Sequence, residues 1–332
     1  MSTNNGLLAA DKFAHYLSLL KELLDKAGKQ RNPALWLLRN DVRTPLFMLE
    51  GLSRLYANLH NKKRFEKMKA QFKLLEDTLG QIDHYTAMGT ELSANKKVPA
   101  AVIKYLKVQT TAKLAYLNEV LVEKKWLDTG HKRIKKINAK LADADWLDAN
   151  ADLAAIRKEL QKEIADITEF VMDTNFHFNN MEADVHELRR KLRWLSIYPK
   201  ALLGSIQLSS AKKPAKYLEK YLTEPILTSP YNIMPPPPVG MPILQLDKNH
   251  FFALSWIIAE LGKLKDQGLK IMALKEALEH TEKLNEAEAY KKAHQLCGNK
   301  TPGILPLLDK AELITKKFFE EGNLLHLIPA TS

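Results

Sequence analysis

Asp184-Val185-His186-Glu187-Leu188-Arg189-Arg190-Lys191-Leu192-Arg193-Trp194-Leu195 separates into an apolar face and a basic face at helical spacing. At about 100° per residue, Val185, Leu188, Leu192 and Leu195 gather on one side, and His186, Arg189, Arg190 and Arg193 fall within an arc of roughly 100° on the other. The apolar side packs inward. The other side stacks three guanidinium groups and an imidazole at steps of about 5 Å. Arg offers a planar fork of donors that matches phosphate oxygens in pairs, so such a row can follow a chain of phosphates. His186 adds a donor, and a positive charge when a bound anion raises its pKa. Glu182, one turn before, is placed to pair with His186, and Glu187 lies to one side. The arc itself holds no acid. The competing reading is the solvated face of an ordinary amphipathic helix, and this stretch alone leaves the two open.

Outward from that helix the apolar periodicity stays helical: Leu17, Leu20, Leu23 and Leu24, then Leu153, Ile156, Leu160, Ile164 and Ile167. Alternating strand-like segments are scarce. The expected fold is all-α, with long antiparallel helices in two bundles around a basic groove. The expected halves are residues 1–150 and 151–332. Breakers outline the helices: 28–33, the polar turn 58–62, a loop over 89–99, another at 128–130 and a junction at 143–152. Asn179 or Asn180 is placed to cap the helix that carries the arginines. A proline-rich insertion occupies 223–247, with Pro235 to Pro238 forming a stiff polyproline II stretch. It reads as a surface connection between helices, or as a docking site for a proline-recognising partner.

The chain has 332 residues, 45% hydrophobic and 27% charged, a globular composition long enough for a sizeable core. Its formal net charge of +11 points to an anionic partner: nucleic acid, anionic lipid or another polyanion. Cys297 is the single cysteine, which excludes an intramolecular disulfide framework and cysteine-built metal sites. No stretch is long and apolar enough to span a membrane, and no secretory signal opens the chain. The expectation is a cytoplasmic protein without a membrane partner.

The first half carries a partial counterpart of the basic helix. Arg39 and Arg43 read as one helical turn apart, Arg54 returns to nearly the same side, Glu50 lies among them, and Pro45 begins or kinks the helix. A secondary basic patch, Lys132, Arg133, Lys135 and Lys136, follows Gly130. It reads as a solvated helix start or as an extension of a phosphate-binding surface. There is also an internal echo. Leu74-Leu75-Glu76-Asp77-Thr78-Leu79-Gly80-Gln81-Ile82-Asp83 shares an apolar pair, an acid, Leu-Gly, an apolar residue and an acid with Ile257-Ile258-Ala259-Glu260-Leu261-Gly262-Lys263-Leu264-Lys265-Asp266. Duplication of one helical unit explains it.

These residues resemble the conserved-histidine α-helical domain family, CHAD, over about residues 32–268. That family pairs a His-x-x-Arg helix, basic again one turn later, with a later helix ending near Leu-Gly and an acid, and repeats the unit twice. His186, Arg189 and Arg193 with Leu261-Gly262 and Asp266 match the second copy. In the first, Arg43, Leu79-Gly80 and Asp83 match, whereas Asn40 stands at the histidine position and Phe47 at the later basic one. The resemblance implies two helical bundles whose basic helices line a shared groove that binds inorganic polyphosphate. Asn40-Asp41-Val42-Arg43-Thr44-Pro45-Leu46 also resembles the phosphoacceptor helix of sensor histidine kinases, but an amide cannot accept the phosphoryl group.

No phosphate loop, dinucleotide fingerprint, zinc-protease motif or nucleophile elbow is present. Trp36, Trp194 and Trp256 fit core positions rather than base-stacking platforms. The expected function is therefore a non-catalytic polyanion binder, without cofactor or metal, holding inorganic polyphosphate through His186, Arg189, Arg190, Arg193, Arg39, Arg43 and Arg54. The alternatives are a scaffold that docks an acidic protein or RNA, and, last, a polyphosphate hydrolase.

Overall fold

Asn32, Asn61, Asp148 and Asn285 each accept a backbone N–H of the first turn that follows them, so polar residues start the helices where the sequence breaks. The computed structural model describes residues 9–210, 213–298 and 302–329. Among them the chain is all-α apart from one pair of short strands. The first half runs through α1 (Ala9–Ala27), α2 (Pro33–Arg39), α3 (Arg43–Leu59), α4 (Lys62–Ser93), α5 (Ala100–Glu123) and α6 (Lys132–Ala142). α7 (Ala149–Asp173) follows. A π-helical turn over Met181–His186, capped by Asn180, leads into α8 (Glu187–Ala201). After strand β1 (Ile206–Leu208) come α9 (Glu224–Leu227), β2 (Leu244–Leu246), α10 (Lys248–Glu282), α11 (Glu286–Cys297) and α12 (Ile304–Glu320).

α3 and α4 form a hairpin, and α3 packs directly on α8. Gly51 makes that approach close: a Cβ there would lie 3.3 Å from both Ile197 and Trp194. Contacts pair Phe47 with Arg193 and Gly51 with Ile197, so α3 and α8 run in the same direction. α7 lies against both. One hydrophobic cluster runs from α1 through α3, α7 and α8 to α12, so residues on either side of position 150 share a core. A second cluster joins α4 and α5 to α10 and α11.

Three boundaries differ from the sequence reading. α4 continues through Gly89 to Ser93, so the expected loop at 89–99 shortens to its second half. The chain breaks between Arg39 and Arg43, where Asp41 takes φ +51°, so these arginines sit on two helices and not one turn apart on one. The kinase-like segment is that break, with the Thr44 hydroxyl donating to Asp41. His186 closes a π turn, whose i→i+5 winding gives it a different bearing from that of a continuous α-helix.

The proline insertion is tied down. β1 pairs in parallel with β2, Ile206 opposite Leu244. Gln207 Nε2 donates to the carbonyls of Gly204 and Pro235, both at 2.8 Å. Gly204 has φ +86°, and a Cβ there would fall 2.1 Å from the Pro236 oxygen, so only glycine fits. Asn232 bridges the Ile226 carbonyl and Ser255 of α10.

Candidate functional site

Arg43 opens α3 and points at α4. Its Nη2 and Nε reach Glu76 Oε1 at 2.5 and 3.1 Å, and its Nη1 reaches Asp83 at 2.5 Å. The guanidinium lies over Gly80, where a Cβ would come within 3.4 Å of Nη2. Burial pulls the Arg43 pKa down, but hydrogen bonds and charge from Glu76 and Asp83 outweigh it and hold the pKa up. Arg43 is thus already engaged by two carboxylates.

Arg189 on α8 is seated in the same way and paired differently. It lies over Gly262 of α10, with a Cβ there 3.0 Å from its Nε. That Nε donates to the Ile258 carbonyl at 3.1 Å. Ile258 stands four residues before Gly262, as Glu76 does before Gly80. Where Arg43 meets a carboxylate, Arg189 meets a backbone oxygen. Burial lowers its pKa, and Asp266 opposes this through space.

Arg193, one turn on, packs over the Phe47 ring at 4.3 Å, and Arg43 approaches the same ring at 5.3 Å. Burial lowers the Arg193 pKa first, and the charges of Arg189 and Arg43 lower it further, against Glu76 and Tyr231. Arg43, Arg189 and Arg193 therefore meet at one place. Among the described residues, Arg189 and Arg193 have no carboxylate at ion-pair distance.

The other expected residues divide. His186 Nδ1 lies 2.9 Å from Glu182, which this hydrogen bond holds below the usual carboxylate range. Arg190 is exposed and pairs with Glu187. The basic arc is thus flanked by acids that engage two of its four members. Arg54 points away from the group. Its Nε contacts Glu163 of α7 at 3.1 Å and its guanidinium stacks over Trp194 at 5.7 Å, while the Tyr198 hydroxyl donates to the same Glu163 oxygen. Burial lifts Glu163 upward despite these partners. Arg54 is a strut between α3, α7 and α8 rather than part of the arginine cluster. Arg39 is exposed at the end of α2. Lys132, Arg133, Lys135 and Lys136 lie on α6, where Arg133 donates to the Lys124 carbonyl. Burial and the charges of Lys67, Lys136, Arg64 and Arg133 depress Lys140, so this basic patch continues onto the start of α4. From Lys67 to Gly80 is about 20 Å along that helix at 1.5 Å per residue, so the patch is separate from Arg189 and Arg193.

Sequence reasoning missed Lys200 and Tyr231. Lys200 Nζ donates to the Pro230 carbonyl at 3.0 Å and lies 5.3 Å over the Tyr231 ring. Tyr231 is 77% exposed and stands within electrostatic reach of Arg193. The signal was faint: an aromatic just ahead of four prolines, brought to the end of the arginine helix by the insertion. Among the described residues no group of three or more His, Cys, Asp or Glu is placed to hold a metal ion, and no helix is long and apolar enough to cross a membrane. Cys297 is half-buried, which pushes its thiol pKa up. No family model, curated protein or solved structure matches the chain.

Proposed function

We propose that the protein is a non-catalytic binder of a phosphate-bearing polyanion, inorganic polyphosphate foremost, with Arg189 and Arg193 at the centre of a basic groove. The carrying observation is the pair itself: two neighbouring, largely buried guanidinium groups whose charges oppose each other and which lack a carboxylate partner. Their charge is costly where it stands, and a phosphate oxygen against both supplies the missing negative charge in a setting of reduced dielectric. Arg190 adds a rim donor once it leaves Glu187, and Lys200 extends the positive surface toward Tyr231. Arg43 acts through Phe47, as a support for Arg193, rather than as a ligand. This narrows the expected site: His186 and Arg43 start with carboxylates, and Arg54, Arg39 and the α6 patch lie outside its centre.

The two halves are read as duplicates. Arg43, Phe47 and Gly51 step down α3 as Arg189, Arg193 and Ile197 step down α8, with Phe47 against Arg193 and Gly51 against Ile197. Gly80 and Gly262 underlie the two leading guanidinium groups. This supports the CHAD resemblance on which the polyphosphate reading also leans.

Binding to immobilised polyphosphate tests the reading. Arg189→Gln combined with Arg193→Gln is expected to weaken retention at least tenfold, about 1.4 kcal/mol, with helical circular dichroism unchanged. Retention that survives in this folded variant overturns the site. Affinity is expected to fall steeply with salt through counterion release. Polyphosphate is expected to displace the protein from DNA or RNA. The reverse order would make nucleic acid the ligand.

A further inference from the structure

α5 turns one apolar face inward and leaves a second uncovered. Val102, Leu106, Leu117, Val120 and Leu121 are buried on its inner side. On the outer side Val108, Tyr116 and Val122 are 54, 47 and 64% exposed, with Thr111, Ala112 and Ala115 exposed between them. A helix that is apolar on both sides is normally covered on both. The charges along the outer face are segregated: Lys104 and Lys107 lie in its first half, Glu119 and Glu123 in its second. All four are exposed, and among the described residues none has an ion-pair partner within the chain.

We propose that a second copy of this chain covers this face, α5 lying antiparallel to α5 across a two-fold axis near Ala112 and Ala115. A surface that is basic at one end, apolar in the middle and acidic at the other is the complement of its own reverse. That self-complementarity is what an isologous two-fold contact requires, and it selects a second copy over an unrelated partner. In this arrangement Lys104 and Lys107 of each chain face Glu119 and Glu123 of the other, and Val108 turns toward Tyr116 across the axis. Small residues at the crossing let the helix axes approach to about 8 Å. A parallel pairing sets lysine against lysine and is disfavoured. One helix pair lies at the low end of stable interface size, so the association is expected in the micromolar range.

Sedimentation equilibrium of the full chain, at concentrations spanning about 1 to 200 μM around that affinity, is expected to show a reversible monomer–dimer equilibrium. Lys104→Glu with Lys107→Glu, and separately Glu119→Lys with Glu123→Lys, are each expected to weaken the dimer at least tenfold. An equimolar mixture of these two variants is expected to form a heterodimer of restored affinity, because both charge clusters then face opposite charge again. Val108→Glu is expected to abolish association. The charge substitutions are on the surface, and rescue on mixing shows that loss of association was not loss of folding. A chain that stays monomeric throughout, a dimer indifferent to both charge variants, or variants that fail to rescue each other would overturn the proposal.

Discussion

The guanidinium groups of Arg43 and Arg189 occupy matching seats and have opposite fates. Each lies over the glycine of a Leu-Gly pair on a long helix, and each begins the stretch where α3 and α8 meet. Under Arg43, the residue one turn before the glycine is Glu76, and Asp83 closes the other side. Under Arg189 that residue is Ile258, which offers only its carbonyl. One seat is an internal ion pair, and the other keeps its charge unspent. The next turn repeats the contrast: Phe47 in one helix, Arg193 in the other, stacked on each other. In the proposed reading, Arg43 and Phe47 on α3 support the half-buried Arg189 and Arg193 on α8. A basic side chain does not make a binding site by itself; the residue one turn away on the neighbouring helix decides.

Substitutions break or sharpen this contrast, the largest effect first. Arg54 belongs to the contact that joins α3 to α7 and α8, and its removal leaves the buried Glu163 with the Tyr198 hydroxyl but without its cation. Arg54→Ala is expected to lower stability by about 3 kcal/mol, read from the denaturant midpoint, with polyanion affinity per folded molecule unchanged. Next comes Glu50 on α3, whose counterpart on α8 is Ser196. Burial lifts the Glu50 carboxyl from 4.5 to about 7. Favouring the protonated form contributes stability below pH 4.5, and that contribution is lost as the pH rises through 7. Glu50→Gln is therefore expected to stabilise the protein by about 2 kcal/mol at pH 8 and to make no difference at pH 4, as thermal melts at both pH values will read.

Exchanging the deciding residue comes third. Ile258→Glu places a carboxylate where Arg43 has one, and is expected to cut polyphosphate affinity about tenfold, 1.4 kcal/mol, by titration calorimetry. An unchanged affinity would mean that the free charge of Arg189 is irrelevant to binding. The smallest change is Glu76→Gln, which releases Arg43 to a single acid. A gain of about threefold in affinity, under 1 kcal/mol, is expected in the same measurement, because one more charge becomes available beside Phe47.

The sequence made the helices legible because Leu and Ile recur at helical steps and the caps are ordinary Asn and Asp. The two Leu-Gly segments were legible too, as an echo. What they do was not: Gly80 and Gly262 matter for the side chain they let in, and that side chain lies some forty to seventy positions earlier in the chain. The Glu182 partner of His186 was in view because it lies one turn away, whereas Glu187, read as lying to one side, reaches Arg190. The partners of Arg43 and Arg54 lay on other helices. Alignment on one helical face placed Arg54 with the arginine row, whereas packing turned it toward α7. The break at Asp41 was hidden because Pro45 fits a helix start as readily as a kink, and that hid the separation of Arg39 from Arg43.

The parallel direction of β1 and β2 sets a lower limit on the length of the segment that joins them. Antiparallel neighbours can be linked by two residues, but parallel ones require a crossover of roughly a dozen or more. Trimming the loop that carries Tyr231 and the prolines to a tight reverse turn would therefore unzip Ile206 from Leu244 and free the end of the arginine helix, whereas shortening that keeps a crossover would leave the bundle intact. The insertion is free to diverge in composition and bulk, but not to disappear.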